Sequence, residues 1–340
     1  MSESTLFKDN LNETLAANFG REIQRVYADF DAAGFTAQIA PQLPSLELKE
    51  RVAVFSTALH DFLPAEYGTA VAILLQVLHP ETPPEEGLFN NGLGWALWSV
   101  AHFVEVYGLD DFDISLAAMH DITSRFSCEF AIRPFLVRYP QPTLAVLDGW
   151  TDPSPHVRRL VSEGTRPRLP WGMRLNQFIT DPTPTLALLE KLKDDPSEYV
   201  RRSVANHLND ITKDNADLAL ATLRRWNEGT PSPETIWITR HALRSLVKAG
   251  HPEALALMGF GAAQVALTSF AIDPPTIQMG ESVAFRFTLH NDTAVAQNLV
   301  IDYMVHFVKA NGRTSHKVFK LKTAVLPAHS TLTVQKNHTI

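Results

Sequence analysis

The stretch DPSPHVRRLVSE at residues 152–163 occurs a second time, in altered form, as DPSEYVRRSVAN at residues 195–206. Seven of the twelve positions are identical at an offset of 43 residues, which lies within the period of about 40–47 residues typical of HEAT-type helical pairs. The Asp-Pro-Ser opening predicts a helix start, because Asp or Ser caps the first turn and Pro is pre-set for it. We therefore interpret residues 1–260 as an α-solenoid-like domain of HEAT-like repeats.

Two weaker copies flank this pair, at Glu129–Arg133 and at Trp237–Arg244. Further toward the N-terminus, the apolar residues of Gly94–Tyr107 recur at helical spacing, and Gly108 follows as a predicted C-cap. Pro and Asp recur between such stretches. The pattern predicts many short helices rather than a few long ones.

The hydrophobic period changes to two from residue 265 onward. Polar and apolar residues alternate in Ser282–Leu289, Leu299–Val305 and Lys317–Lys322, with turn residues between them. Short alternating strands of this kind predict an Ig-like antiparallel β-sandwich over residues 265–340. About 75 residues are few for such a sandwich, so we expect its last strands to be missing from this sequence.

The distribution of charge and the composition limit which partners and which cellular compartment fit this protein. The chain has 340 residues and a formal net charge of −7, but residues 1–124 carry −13, residues 125–250 carry +4 and residues 251–340 carry +2. The Arg-rich middle is compatible with an anionic partner, because local charge decides binding at physiological salt. There is no membrane-length apolar stretch, no secretory signal and only one cysteine. These features predict a cytoplasmic protein without a membrane partner or a disulfide framework.

The polar edges of the second helices are the first candidates for a functional surface. Spacings of four residues place charged or amide side chains on one helical face in each copy, namely Glu129 and Arg133, Arg159 and Glu163, Arg202 with Asn206 and Asp210, and Arg240 with Arg244 and Lys248. Stacked helices would form an Arg-rich groove with three carboxylates on its floor. Alternatively, these residues form ordinary surface ion pairs, each worth less than about 0.5 kcal/mol.

The segment RPRLPWGMR at residues 166–174 follows the first strong copy. Its prolines reduce the entropy that the loop loses on ordering. Trp171 is either a core anchor or an aromatic face for nucleic acid or a cationic ligand. The sequence has no HExxH, no GxxxxGK[ST] and no GxGxxG before a helix, so we expect no metal and no cofactor.

Three runs, SRFSCEFAIRPFL at 124–136, SPHVRRLVSEGTRPRLPWG at 154–172 and SEYVRRSVANHLNDI at 197–211, resemble the AlkC family of HEAT-like-repeat DNA alkylation-repair glycosylases. The resemblance extends over essentially the whole chain and includes a C-terminal Ig-like domain. It implies excision of cationic N3-methylated bases, chiefly 3-methyladenine and 3-methylcytosine. It also implies that the damaged base is not flipped into a pocket, unlike the usual glycosylase strategy.

Carried over by motif, the resemblance assigns the active site to Glu129, Glu163, Trp171 and Asp210. Asn206 stands where the other copy has Glu163, so a carboxylate is lost there. We expect contacts to double-stranded DNA from basic and amide side chains in both domains, namely Arg159, Arg166, Arg168, Arg202, Asn206, Arg240, Arg244, Lys317 and Lys320. A single-site enzyme on DNA needs no second subunit, so we expect a monomer.

The chemistry of the lesion agrees with this assignment. An N3-methylated purine is already cationic and leaves as a neutral base, so no general acid is needed, in contrast to ordinary glycoside cleavage. Carboxylates would stabilise the developing sugar cation and position water. We expect no lysine in the cluster, and hence a monofunctional enzyme without Schiff-base chemistry. The alternative is a non-catalytic HEAT-repeat scaffold that binds protein or DNA.

Overall fold

In the computed structural model, which describes residues 6–81, 83, 93–150 and 153–339, helices precede strands along the chain. The helices are α1 Glu13–Val26, α2 Ala32–Ile39, α3 Leu48–Phe62, α4 Tyr67–Gln76, α5 Gly94–Tyr107, α6 Phe112–Thr123, α7 Ile132–Arg138, α8 Pro140–Gly149, α9 Pro155–Gly164, α10 Asn176–Thr180, α11 Thr183–Glu190, α12 Glu198–Ile211, α13 Ala216–Trp226, α14 Pro233–Ala242, α15 Arg244–Lys248 and α16 Pro252–Leu257. The strands are β1 Ala266–Asp273, β2 Ser282–His290, β3 Gln297–Val308, β4 Thr314–Leu326 and β5 Thr331–Thr339.

The two strong repeat copies begin helices α9 and α12, as the sequence predicts. The Ser154 hydroxyl accepts a hydrogen bond from the backbone N–H of His156 at 3.3 Å. In the second copy Asp195 Oδ1 accepts from the backbone N–H of Ser197 at 2.9 Å instead. The equivalent Asp152 lies outside the described residues. The two copies therefore start at equivalent positions but use different side chains at the start.

The first arginine of each repeat copy stabilises the stack of helices. Arg158 Nη1 donates to the carbonyl of Pro153 at 2.7 Å, and Arg201 Nη1 donates to the equivalent carbonyl of Pro196 at 2.7 Å. Arg158 also holds Asp195 of the next copy through two bonds of 2.7 and 3.0 Å. Helix α12 packs against α9 on one side and α14 on the other. This successive packing confirms the predicted helical-repeat fold.

Helix α5 has the predicted bounds, and Gly108 caps it by donating its N–H to the carbonyl of Val104 at 3.1 Å. The backbone of Gly108 is not left-handed. A Cβ atom here would lie only 2.3 Å from both Ser115 Oγ and Tyr67 Oη. Close packing of two neighbouring side chains therefore requires glycine at this position.

The chain divides into two compact units, Met1–Ala242 and Leu243–Ile340. In the second unit, β1, β2 and β5 form one antiparallel sheet and β3 pairs with β4 in another. Each predicted strand lies within β2, β3 or β4. Phe285, Phe287 and Val334 are the buried centre of this unit. An apolar cavity of about 630 Å³ is lined mainly by β1, β2 and β3.

In the part of the chain that the structure describes, none of the helices combines the length and the apolar character needed to cross a bilayer.

Candidate active site

Charged side chains of alternating sign form a continuous series in the first unit. The series, which we call the ion-pair chain, runs Glu129, Arg159, Glu163, Arg166, Asp210 and Lys213. It connects the turn before α7, helix α9, the loop after α9 and helix α12. The three carboxylates predicted for the active site are thus brought together, but by arginines that lie between them.

The centre of the ion-pair chain is buried. Arg166 donates from Nη1 to Glu163 Oε1 at 2.7 Å and from Nε to Asp210 Oδ2 at 2.8 Å. The Ser203 hydroxyl donates to Glu163 Oε2 at 2.6 Å. Burial disfavours the charged form of Glu163, but Arg159 and Arg166 outweigh burial and lower its pKa. Glu163 is therefore held as a carboxylate.

Arg159 joins Glu163 to Glu129. Its Nη2 lies 3.5 Å from Glu163 Oε1, and its Nη1 pairs with Glu129 Oε2 and donates to the Ser127 hydroxyl at 2.8 Å. Its guanidinium carbon also lies 5.2 Å from the centre of the Tyr199 ring. Burial would lower the pKa of Arg159, but Glu129 above all raises it beyond its usual range. The sequence predicted this arginine as a DNA contact, whereas the structure turns it toward carboxylates.

Glu129 is the carboxylate least enclosed by the ion-pair chain. It lies in the turn before α7 rather than on the expected helical face with Arg133. One oxygen, Oε2, accepts from Ser127 at 2.8 Å and pairs with Arg159. Among the described residues, its other oxygen has no hydrogen-bond partner. Oε2 therefore fixes the orientation of Glu129, and within those residues Oε1 remains available to a ligand.

An aromatic cavity of about 260 Å³ adjoins Glu129 and Arg159. Its remaining lining is almost entirely apolar and consists of Phe7, Leu48, Trp95, Trp98, Phe126, Ser127, Phe130, Trp171 and Tyr199. Aromatic faces attract cations through the ring quadrupole, and a carboxylate adds a full opposite charge. The aromatic walls and the carboxylate therefore favour positive charge beside Glu129.

Trp171 has an unusual backbone for a bulky residue. Its φ is 64°, in the left-handed region, and 66% of the residue is exposed. A non-glycine residue in this region costs about 1–2 kcal/mol. The core-anchor alternative is wrong, because the indole is largely exposed and forms one wall of the aromatic cavity.

Several polar side chains predicted to contact DNA in the groove already have partners within the protein. Arg168 forms two bonds of 2.6 and 2.7 Å with Asp214. Arg202 is exposed and pairs with Glu198 on its own helix. Asn206 Oδ1 lies 3.3 Å from His241 Nε2. Of these residues, Arg202 presents the most accessible charge.

The expected stripe of Arg240, Arg244 and Lys248 on one helix is wrong. Helix α14 ends at Ala242 and α15 begins at Arg244, because Leu243 has a turn conformation with ψ near 0°. Arg240 is exposed at the end of α14, whereas Arg244 belongs to the second unit. The four-residue spacing therefore does not give one continuous face.

The expectation of no lysine in the cluster is also wrong. Lys213 Nζ lies 2.8 Å from Asp210 Oδ1, and about half of the lysine side chain is exposed. The spacing of three residues across the end of α12 could have revealed this pair. Ser203 could not be found in this way, because its contact with Glu163 depends on how α12 packs against α9.

In the second unit, Lys317 and Lys320 lie on β4. Side chains alternate between the two faces of a strand, so a spacing of three places them on opposite faces. Lys317 Nζ lies 5.0 Å above the Phe319 ring, which stacks on Tyr303. One flat partner cannot contact both lysines.

Within the described ranges, no group of three or more His, Cys, Asp or Glu side chains is arranged to hold a metal ion.

Comparison with known proteins gives the family. Residues 266–340 match the family model of the C-terminal Ig-like domain of the uncharacterised protein YhaZ. YhaZ of Bacillus subtilis (strain 168) is 39% identical over 317 residues, which cover 92% of this chain and 85% of YhaZ. A solved structure of Pseudomonas fluorescens alkylpurine DNA glycosylase AlkC, bound to DNA containing an abasic site analog, is 40% identical with a TM-score of 0.89 and covers 99% of this chain and 91% of AlkC. The chain therefore belongs to the AlkC family of DNA glycosylases.

Proposed function

We propose that this chain hydrolyses the N-glycosidic bond of cationic N3-methylated bases in double-stranded DNA, with 3-methyladenine and 3-methylcytosine as substrates. The observation that carries the proposal is the position of Glu129 in the lining of the aromatic cavity, where the exposed Trp171 forms another part of the wall. Membership of the AlkC family supports the reaction class.

The reaction needs stabilisation of a positive charge rather than an acid. The methylated base carries its charge already, and bond breaking moves that charge onto the deoxyribose. A carboxylate about 4 Å from a unit positive charge gains about 4 kcal/mol at an effective dielectric constant near 20. This corresponds to nearly three orders of magnitude in rate as an upper limit. The gain is smaller because the cationic lesion is also stabilised in the ground state.

The carboxylates differ in how many of their oxygens already have partners in the protein. We assign Glu129, Glu163, Asp210 and Trp171 to the catalytic set. Within the described residues, Glu129 Oε1 has no hydrogen-bond partner. The oxygens of Asp210 are both occupied, by Arg166 and by Lys213. Because Lys213 is half-exposed, a DNA phosphate can take over its ammonium group and leave Asp210 Oδ1 for the sugar or the attacking water.

Phosphate binding is proposed for the cations that are not buried between carboxylates. Arg202, Arg240, Arg168 and Lys213 have accessible charges in the first unit, and Asn206 can donate an amide hydrogen. Each phosphate that is neutralised makes the slope of log K against log salt steeper by about 0.9. Arg159 and Arg166 instead hold the carboxylates in place.

We also propose that the damaged base is not flipped into a pocket. A base that leaves without protonation needs no acid around it, so only its sugar must reach the carboxylates. A duplex with 2-aminopurine at the lesion position tests this, because its fluorescence rises when the base unstacks. We expect no rise in the 2-aminopurine fluorescence when the protein binds the duplex. A strong rise would contradict the proposal and would make the aromatic cavity the receptor for the base.

The presence of Lys213 beside Asp210 raises the question of whether the enzyme also cleaves abasic DNA through a Schiff base. Schiff-base chemistry needs a neutral amine, whereas Lys213 is paired with Asp210 at 2.8 Å. Borohydride treatment of the protein with abasic DNA is therefore expected to trap no covalent adduct. A trapped adduct that disappears in Lys213→Met would show lyase activity.

The central experiment measures free methylated base released from methylated DNA, by chromatography, under single-turnover conditions. Wild type is expected to release 3-methyladenine and 3-methylcytosine. Glu129→Gln and Asp210→Asn are expected to lower the rate by about 10²-fold and to retain DNA binding. Asp217→Asn is the matched control, because Asp217 is an exposed carboxylate on α13 outside the ion-pair chain. Absence of release by folded wild type that binds DNA would contradict the proposal.

A further inference from the structure

The loop between α9 and α10 carries both Arg166 of the ion-pair chain and Trp171 of the aromatic cavity. Trp171 has a left-handed backbone, with φ 64°, although it is not glycine. Residues with a Cβ atom keep this strained backbone conformation only where the surrounding structure enforces it. Because Trp171 and its neighbour Met173 are exposed, burial of their own side chains does not provide that restraint.

Arg133 provides one restraint. It is fully buried, and its guanidinium donates from Nη1 to the carbonyl of Gly164 at 2.9 Å and from Nε to the carbonyl of Met173 at 2.7 Å. Nη2 contacts the same Met173 carbonyl. These two carbonyls lie at the two ends of the loop, so Arg133 fixes the distance between its ends.

Lys49 provides a second restraint, from helix α3. Its Nζ donates to the carbonyl of Trp171 itself at 2.5 Å. The same ammonium group lies 4.9 Å from the centre of the Phe130 ring, which is another wall of the cavity. Lys49 therefore connects the backbone of Trp171 to a second residue of the cavity wall.

We propose that Lys49 and Arg133 are positioning residues for Trp171: they hold its backbone left-handed so that the indole forms the cavity wall beside Glu129. Neither residue touches the substrate in this proposal. Both bond to backbone carbonyls, so the restraint acts on the direction of the indole rather than on charge. The link to catalysis rests on the proposed glycosylase function, whereas the link to the conformation of Trp171 does not.

The test uses full-length protein labelled with 5-fluorotryptophan. The ¹⁹F resonance of Trp171 is assigned by its loss in Trp171→Phe. Lys49→Met keeps the length of the side chain and removes its donors, and Lys49→Arg restores a donor. Lys191→Met is the matched control, because Lys191 also donates to a backbone carbonyl, that of Asp148 at 3.0 Å, and takes no part in the aromatic cavity.

We expect Lys49→Met to shift or broaden the Trp171 resonance while those of the other tryptophans outside the cavity stay in place. Its single-turnover rate of base release should fall about tenfold with DNA affinity within twofold of wild type. Lys49→Arg should restore most of the wild-type Trp171 resonance and most of the wild-type rate of base release. Arg133→Lys, which keeps the charge but loses the fork of donors, should perturb the same resonance.

A Trp171 resonance that is unchanged in Lys49→Met, as in Lys191→Met, would overturn the proposal. A loss of DNA affinity at an unchanged rate would also overturn it and would make Lys49 a DNA contact. If wild type releases no base, the proposed function fails, but the resonance still decides whether Lys49 positions Trp171.

Discussion

Arg166 Nε donates to Asp210 Oδ2 at 2.8 Å across 44 residues of sequence, and both side chains are buried. The same guanidinium group holds Glu163. One cation thus balances carboxylates from the two copies of the repeat. Because Arg166 neutralises two buried carboxylates, it contributes more to stability than an ordinary surface arginine.

Arg166→Met is expected to lower the free energy of unfolding by about 3–5 kcal/mol, because it leaves two buried carboxylates without their shared cation. Urea denaturation followed by circular dichroism measures this loss. The control is Arg168→Met, whose partner Asp214 is more exposed and which should cost less than about 1 kcal/mol. Equal losses in the two variants would show that Arg166 has no special role.

Trp171→Gly is expected to raise the free energy of unfolding by about 1 kcal/mol relative to Trp171→Ala, since glycine adopts the left-handed backbone without strain. Both variants lose the indole, so both should lose base release. Comparison of their urea midpoints isolates the backbone strain at this residue. If alanine is as stable as glycine, the left-handed conformation of the loop is not strained.

The two lysines on β4 are expected to differ in DNA binding. Lys320→Gln should make the slope of log K against log salt shallower by about 1, as expected for loss of one phosphate contact. Lys317→Gln should change the slope less, because Lys317 lies on the other face, above Phe319. Fluorescence anisotropy with a labelled duplex at several salt concentrations gives both slopes. Identical slopes in the two variants would contradict the assignment.

Acid is expected to destabilise the first unit through His207. Burial above all, with the charge of Arg166, lowers the pKa of His207 to about 3 from an ordinary value of 6.5. Between these values the unfolded chain binds a proton that the folded chain does not. The free energy of unfolding should therefore fall as the pH falls from 6.5 toward 3, by at most about 1.4 kcal/mol per pH unit.

Urea denaturation at intervals between pH 7 and pH 4 measures this slope, and His207→Gln should reduce it. The exposed His60 provides the control variant, His60→Gln, which should keep the wild-type slope. The lowered pKa of Glu163 acts in the same direction below its ordinary value of 4.5, so some slope remains at the acid end in every variant. A wild-type slope in His207→Gln would exclude His207 as the source.

Local signals in the sequence predicted the helix starts and the strands, whereas the active-site residues rest on the family resemblance and stay a prediction. The starts of α9 and α12 depend on adjacent residues such as Ser154 and Pro155, so a short stretch contains the information. The alternation in β2 is equally local. The pairing of Arg159 and Glu163 follows from their four-residue spacing.

The partners of the arginines were not predictable in the same way. Arginine content indicates an anionic partner, but whether a guanidinium group meets a phosphate or a carboxylate depends on how distant helices pack. Arg166 bonds to Asp210, which is 44 residues away in the sequence, and Lys49 bonds to the carbonyl of Trp171, which is 122 residues away. The opposite faces of Lys317 and Lys320 were readable from the period of two, since a spacing of three changes face.

The two strong repeat copies give helices of different length, 10 residues in α9 and 14 in α12. Helix α9 stops at Gly164, where a Cβ atom would lie 2.6 Å from Ile132 Cγ2. The chain then leaves the helix and forms the loop with Arg166 and Trp171, whereas α12 continues by another turn that carries Asp210. The charged centre therefore arises from broken symmetry between duplicated helices: the shorter copy supplies the loop, and the longer one supplies the carboxylate that the loop binds.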